Sequence, residues 1–123
     1  MDKTIGSIGW IDLTIPNAVD VKDFYAEVIG WKAEPVSMGD YDDFNMTIDG
    51  TPKTGICHKK GGNANIPSQW MIYINIANMS ASCAAVEKRG GKLLSEIKYI
   101  KGYGKFCVIE DPAGAVCTLF EQE

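Results

Sequence analysis

The stretch that decides the fold is Trp10–Asn17, with the sequence WIDLTIPN, which returns in altered form as WMIYINIAN over Trp70–Asn78. Each copy has a tryptophan, then alternating apolar residues typical of a strand, then an asparagine placed to cap a helix. The two tryptophans are 60 residues apart (70 minus 10). A pattern that recurs at an offset of about 60 residues, with one or two insertions, indicates a duplicated structural unit.

A helix is predicted after each copy, and both helices end at glycine. The first helix places four apolar residues at helical spacing: Val21, Phe24, Tyr25 and Val28. The second places three apolar residues on one face: Met79, Cys83 and Val86. Gly30 and Gly90 mark the predicted ends, because glycine readily adopts the left-handed conformation that ends a helix.

Three strand-like runs follow each helix. They cover residues 31–37, 42–49 and 52–59 in the first half, and 92–99, 104–110 and 115–121 in the second. Turn signals stand between the last two runs of each half, at residues 49–50 (DG) and 111–114 (DPAG). The order predicts an α+β fold with two tandem βαβββ modules in a single domain of 123 residues. Module one covers about 1–60, a glycine-rich linker about 61–66, and module two about 67–123.

Charge and composition exclude several classes of partner. The net charge is −4, without a concentrated basic face of the kind that nucleic acid or an anionic membrane requires. No apolar run approaches the roughly 20 residues of a membrane-spanning helix, and the first residues lack the apolar core of a signal peptide. The 4 cysteines are widely spaced, unlike a zinc site or a secreted disulfide scaffold. A cytoplasmic location is the resulting expectation.

Several short stretches resemble the vicinal oxygen chelate (glyoxalase/bleomycin-resistance/dioxygenase) superfamily. They are residues 24–25 (FY), 28–31 (VIGW), 67–70 (PSQW), 90–92 (GGK) and 111–115 (DPAGA). The resemblance implies that each module curls a mixed sheet and that paired modules enclose a cup. It also implies a small-molecule ligand in the cup and a homodimer.

The resemblance further implies where a metal would bind. In metal-dependent members, His, Glu or Gln side chains on the first and last strands of the modules bind a divalent ion. Carried over, these positions fall at Trp10, at Met71 (Trp70 if the match shifts by one) and at Thr118. The fourth falls near residues 56–58, which include His58, the one histidine of the chain. Indole, thioether and hydroxyl groups do not form a site for zinc, nickel or iron. We therefore predict no metal and no cofactor.

Strand alternation predicts which residues line the cup, because successive side chains point to opposite faces of a sheet. Ile11, Leu13 and Ile15 are expected to face the first helix, and Ile72, Ile74 and Ile76 the second. The predicted ligand-binding residues are Trp10, Asp12, Thr14, Met71, Tyr73, Asn75, Thr118 and Phe120. Apolar walls with a few orienting polar groups are typical of a small-molecule site. Trp10, Met71 and Phe120 also suit the core of a closed barrel.

Two functions from different classes remain open. The first is metal-free binding of a small hydrophobic or aromatic molecule. The second is a metal-independent lyase or isomerase that uses Asp12 or His58 as acid or base, since a carboxylate in an apolar cavity has a raised pKa. His58 stands beside two lysines, which also suits a solvated surface histidine. A metalloenzyme resembling lactoylglutathione lyase is disfavoured by the residues at the ligand positions.

Overall fold

The computed structural model describes residues 3–123, and its elements follow the predicted order twice. The first half contains β1 (Ile8–Ile15), α1 (Ala18–Ile29), β2 (Lys32–Ser37), β3 (Asp42–Ile48) and β4 (Thr51–His58), followed by a short 3₁₀ helix, Gly61–Asn63. The second half contains β5 (Trp70–Asn75), α2 (Met79–Lys88), β6 (Lys92–Leu93), β7 (Lys98–Ile100), β8 (Gly104–Glu110) and β9 (Val116–Gln122). The predicted α+β class with two βαβββ repeats is confirmed.

The chain divides into two compact units. The first unit is Ile11–Trp70, and the second combines residues 3–10 with Met71–Glu123. In the first unit the strand order is β2-β3-β4-β1, with β1 and β4 parallel and the other neighbours antiparallel. Its core lies between this sheet and α1, and consists of Leu13, Ile15, Ala18, Met46 and Ile56.

Helix α1 buries a narrower stripe than the sequence predicts. Val21 and Tyr25 pack against the core of the first unit. Phe24 and Val28 were predicted to share that face, but they are 57% and 63% exposed, so this part of the prediction is wrong. The buried stripe is centred on Ala18, Val21 and Tyr25, and positions 24 and 28 lie on its flank. The predicted end is confirmed, because the left-handed residue after α1 is Gly30, whose N–H bonds to the carbonyl of Ala26.

The second unit repeats the arrangement with different core residues. Its strand order is β5-β9-β8-β6, with β5 and β9 parallel and β7 also paired to β8. Its core against α2 consists of Met79, Cys83, Cys107, Ile109 and Leu119. The predicted strand 92–99 is split into β6 and β7. Between them the hydroxyl of Ser95 accepts the backbone N–H of Val108 at 2.9 Å, which replaces a strand-to-strand hydrogen bond.

The two predicted helix caps differ in outcome. The side chain of Asn78 accepts the N–H of Ala81 at 2.9 Å, as expected at the start of α2. The side chain of Asn17 makes no such bond at the start of α1, so that cap prediction is wrong. Among residues 3–123, neither helix has the length and apolar character needed to cross a membrane.

Candidate ligand-binding faces

The first unit gathers polar side chains on the face of its sheet opposite α1. Leu13 and Ile15 pack toward the helix, as predicted, so Asp12 and Thr14 project from the other face. Strand register adds residues of β4 and β3 to this face. Thr14 is paired with Cys57, while Gly55 is paired with both Asp12 and Asn45. Gly55, which is buried and has no side chain, therefore lies between Asp12 and Asn45 on this face.

Cys57 lies on this face under the influence of two carboxylates. Burial raises the pKa of its thiol, and the negative charges of Asp12 and Asp43 raise it further. The thiol also forms a hydrogen bond with Asp43. All of these effects favour the protonated thiol. Cys57 is therefore a hydrogen-bond donor at neutral pH, and not an activated nucleophile.

His58 is buried beside Asp43, which corrects the interpretation of a surface histidine. Its backbone N–H donates to Asp43 Oδ1 at 2.8 Å, and its ring Nδ1 lies 3.2 Å from the same oxygen. The ring of Tyr41 packs edge-on against the imidazole, with centroids 5.1 Å apart. His58 is 9% exposed and Asp43 is 6% exposed. A buried carboxylate thus orients the imidazole, an arrangement that serves acid–base chemistry in many enzymes.

The equivalent face of the second unit is largely apolar. Tyr73, Thr118 and Val108 form one row across β5, β9 and β8, because Thr118 is paired with both of the others. Phe120 is paired with Phe106 in the next row. Thr118 is fully buried, and its hydroxyl has no hydrogen-bond partner among residues 3–123. Aromatic rings around one buried hydroxyl form a surface suited to an apolar molecule with a single polar group.

Asn75, also predicted to bind ligand, has a structural role in the second unit. Its side-chain Nδ2 donates to the hydroxyl of Ser7 at 3.1 Å, and its backbone pairs with Ser7 and Gly6. The amide approaches the chain so closely that a Cβ atom on Gly9 would lie 2.7 Å from Nδ2. Asn75 therefore holds the segment that leads into β1.

The residues at the implied metal positions do not fit a metal ion. Trp10 is half-buried, and Met71 is 1% exposed. Neither side chain is a usual ligand for zinc, nickel or iron, and Thr118 adds only a neutral hydroxyl. Within the described part of the chain, no three His, Cys, Asp or Glu side chains are grouped so that they could hold a metal.

Sequence reasoning missed Asp43 and Asn45. Both belong to β3 and, being two residues apart, point to the same face. That alternation was available as a signal. The sequence did not show which residues lie next to them, because the register that brings Asn45 beside Gly55 depends on pairing between strands.

Comparison with known proteins places this fold in context. No family model matches the chain. The anthracycline biosynthesis protein DnrV of Streptomyces peucetius is 28% identical over 132 residues, covering 95% of this chain and 47% of that protein. A putative glyoxylase of Mycobacterium bovis, CFP32, is 22% identical over 116 residues, covering 94% of this chain and 44% of that protein. The chain thus spans about half the length of each of these two curated relatives.

A solved structure of a superfamily member has a similar fold. A glyoxalase/bleomycin resistance protein/dioxygenase superfamily member from Vibrio splendidus superposes with a TM-score of 0.61 at 14% identity, covering 92% of this chain and 97% of that one. The resemblance to the vicinal oxygen chelate superfamily is therefore confirmed, through the shared fold and through distant sequence similarity.

Proposed function

We propose that the protein binds a small hydrophobic or aromatic molecule on the sheet face opposite α2, without a metal ion. The observation that carries the proposal is the set of aromatic side chains near Thr118, with Tyr73 in its own row and Phe106 and Phe120 in the next. The hydroxyl of Thr118 is fully buried and has no partner within residues 3–123. A buried polar group without a partner costs about 1–3 kcal/mol. A ligand oxygen or nitrogen that bonds to this hydroxyl would recover part of that cost.

The similarity to an anthracycline biosynthesis protein supports an aromatic ligand, since anthracyclines are polycyclic aromatic compounds. The lengths of the relatives support a homodimer as part of the proposal. DnrV and CFP32 are each about twice as long as the region that this chain matches. A second copy of this chain would supply the equivalent of their remaining halves.

The binding proposal is tested by titrating the protein with quinizarin, a planar dihydroxyanthraquinone, in a calorimeter. Phe120→Ala removes an aromatic wall and is expected to weaken binding at least tenfold. Thr118→Val keeps the shape of the side chain but removes the hydroxyl, and is expected to weaken binding about fivefold. Asp12→Asn, in the first unit, is the matched control. Equal affinity in all four proteins would contradict the proposal.

Metal independence is tested in the same titration. Protein dialysed against EDTA is expected to bind quinizarin with the affinity of untreated protein. Elemental analysis of protein purified without a metal-affinity tag should find less than one transition metal per chain. A bound metal whose removal abolishes binding would favour the metalloenzyme instead.

A second candidate function is a metal-independent lyase or isomerase. The buried Asp43–His58 pair favours it, because a carboxylate that orients an imidazole assists proton transfer. Asp12 is the alternative acid or base. The test is deuterium uptake from D₂O into thioesters and 2-hydroxyketones that carry an exchangeable C–H bond next to the carbonyl. His58→Gln should abolish uptake if His58 is the base, and Asp12→Asn should do so if Asp12 is. Uptake that survives both changes would exclude both residues.

A further inference from the structure

A concave surface lies on the α1 side of the first unit's sheet. It has a volume of about 340 Å³ and is lined by Ile11, Trp31, Lys53, Thr54 and Trp70. Trp31 and Trp70 pack against the core that the sheet shares with α1. Ile11 alternates with Asp12 along β1, so this groove and the Asp12 face are on opposite sides of the strand. We call it the tryptophan groove.

The walls of the tryptophan groove are aromatic and fixed in place. The centroids of Trp31 and Trp70 are 6.1 Å apart, with ring planes at 76°. Tyr25 packs against Trp70 at 5.2 Å and against Trp31 at 6.0 Å. The indole N–H of Trp70 donates to the hydroxyl of Tyr25 at 3.2 Å, which fixes the orientation of the ring. Such a preformed aromatic surface binds a flat ring with little loss of side-chain entropy.

Among the described residues, Lys53 is the one charged side chain that lines the groove. The pairing of β3 with β4 shifts between Met46 and Thr47, so Thr54 and Pro52 have partners while Lys53 is the extra residue of a bulge. A bulge redirects the side chain of its extra residue, which explains how Lys53 reaches a surface that Thr54 also lines. Within residues 3–123, Lys53 takes part in no salt bridge.

The other polar lining group is already engaged. The hydroxyl of Thr54 donates to the backbone carbonyl of Ile11. A ligand in the groove would therefore meet aromatic and aliphatic walls and one available positive charge. That combination complements a flat aromatic ring with one negative group.

We propose that the tryptophan groove binds a small aromatic carboxylate, with its ring against Trp31 and Trp70 and its carboxylate paired with Lys53. The volume of the groove is near the lower end of the range for small-molecule sites, which suits one or two fused rings. This site is separate from the face of the second unit to which quinizarin binding is assigned. The two proposals can therefore fail independently.

The test uses 2-naphthoate and its neutral analogue 2-naphthamide, which has the same rings without the charge. Binding is followed by the indole N–H signals of the three tryptophans in two-dimensional NMR. We expect 2-naphthoate to shift the signals of Trp31 and Trp70 in a saturable way and to leave Trp10, outside the groove, unchanged. Absence of saturable shifts at millimolar 2-naphthoate, or shifts confined to Trp10, would overturn the proposal.

Charge recognition is tested with Lys53→Gln. This change should weaken 2-naphthoate binding about threefold, as expected for a solvent-exposed ion pair, and leave 2-naphthamide binding unchanged. Lys59→Gln is the matched control, because Lys59 carries the same charge but bonds to Ser68 at 2.7 Å. Equal affinity of the two variants for 2-naphthoate would refute the role of Lys53.

Location is tested with Trp31→Leu, which should weaken 2-naphthoate binding at least tenfold, and with Phe120→Ala, which should not change it. Sedimentation velocity identifies the competing occupant, a second copy of this chain. A dimer that dissociates on Lys53→Glu would show that the groove is covered by protein, which would overturn the proposal.

Discussion

Replacing Asp43 should reveal how strongly the first unit depends on one buried carboxylate. Asp43 Oδ1 accepts the backbone N–H of His58 at 2.8 Å and lies 3.2 Å from its Nδ1. The carboxylate also bonds to the thiol of Cys57. Asp43→Ala removes all three interactions and leaves the N–H of His58 buried without its acceptor. Asp43→Asn keeps an oxygen for that N–H but removes the negative charge.

The expected magnitudes follow from these contacts. A hydrogen bond to a charged group contributes about 1.5–3 kcal/mol, and a stranded buried donor costs about 1–3 kcal/mol. Removing the carboxylate also removes its own desolvation cost, which offsets part of the loss. We therefore expect Asp43→Ala to lower the free energy of unfolding by about 3 kcal/mol, and Asp43→Asn by about 1 kcal/mol.

The assay is equilibrium unfolding in urea at neutral pH, followed by circular dichroism, with the dependence on urea compared between variants. Asp42→Ala is the matched control, because Asp42 is the exposed neighbour on the same strand and should change stability by less than about 0.5 kcal/mol. If Asp43→Ala and Asp42→Ala had the same unfolding midpoint, the carboxylate would not be the buried acceptor described here. Equal losses for Ala and Asn at position 43 would show that charge, and not the bond to the His58 N–H, sets the effect.

Three further predictions concern thiols, glycines and metal. Folding raises the pKa of Cys57, so the contribution of this thiol to stability is complete below about pH 8.5 and is lost as the pH rises above that value. Urea unfolding measured between pH 7 and 10 should show this decline in the free energy of unfolding. A Cys57→Ala variant should show a smaller decline. Gly104→Ala should destabilise the protein by several kcal/mol, since φ is +142° and a Cβ would lie 2.1 Å from the carbonyl oxygen of Glu121. Gly102→Ala, where φ is +84° and the space is open, should cost only about 1 kcal/mol, and thermal melting compares the two. Addition of EDTA should leave the melting temperature unchanged, and a fall of several degrees would indicate a structural metal.

Local signals predicted the order of the elements well, and for a physical reason. Apolar periodicity and glycine stops act within a few residues, so α1 ends before Gly30 as expected. Strand β3, predicted at 42–49, runs from Asp42 to Ile48. The turn at Asp49-Gly50 has both residues at positive φ, as a tight hairpin requires.

The candidate sites were predicted less completely, because their contacts join distant parts of the chain. The environment of His58 depends on Asp43, which is 15 residues earlier and reaches it through strand pairing. The two lysines that follow His58 suggested that the histidine is exposed to solvent. They follow His58 in the chain, however, whereas its burial depends on the neighbouring strand. The tryptophan groove depends on Trp70 packing against Tyr25, which is 45 residues earlier in the sequence. Periodicity gives the face of a side chain but not its neighbours.

The two repeats have the same register but different chemistry, which separates their expected roles. Asp12 and Tyr73 each stand five residues before the asparagine that precedes a helix (17 minus 12, and 78 minus 73). Two positions after Asp12, Thr14 in β1 is paired with Cys57. Two positions after Tyr73, Asn75 in β5 is paired with Phe120. Equivalent positions therefore hold a carboxylate and a thiol in the first unit and two aromatic rings in the second.

This difference predicts that the ionisation of Cys57 and the affinity for quinizarin respond to different substitutions. Asp12→Asn removes a negative charge that raises the pKa of Cys57, so the thiol should react faster with iodoacetamide at pH 8.5, measured by mass spectrometry of the Cys57 peptide. Quinizarin affinity should not change. Phe120→Ala should have the opposite profile, with weaker quinizarin binding and an unchanged rate of alkylation at Cys57. If Asp12→Asn weakened quinizarin binding as much as Phe120→Ala, both faces would contribute to one ligand site, and the separation of acid–base chemistry from binding would be wrong.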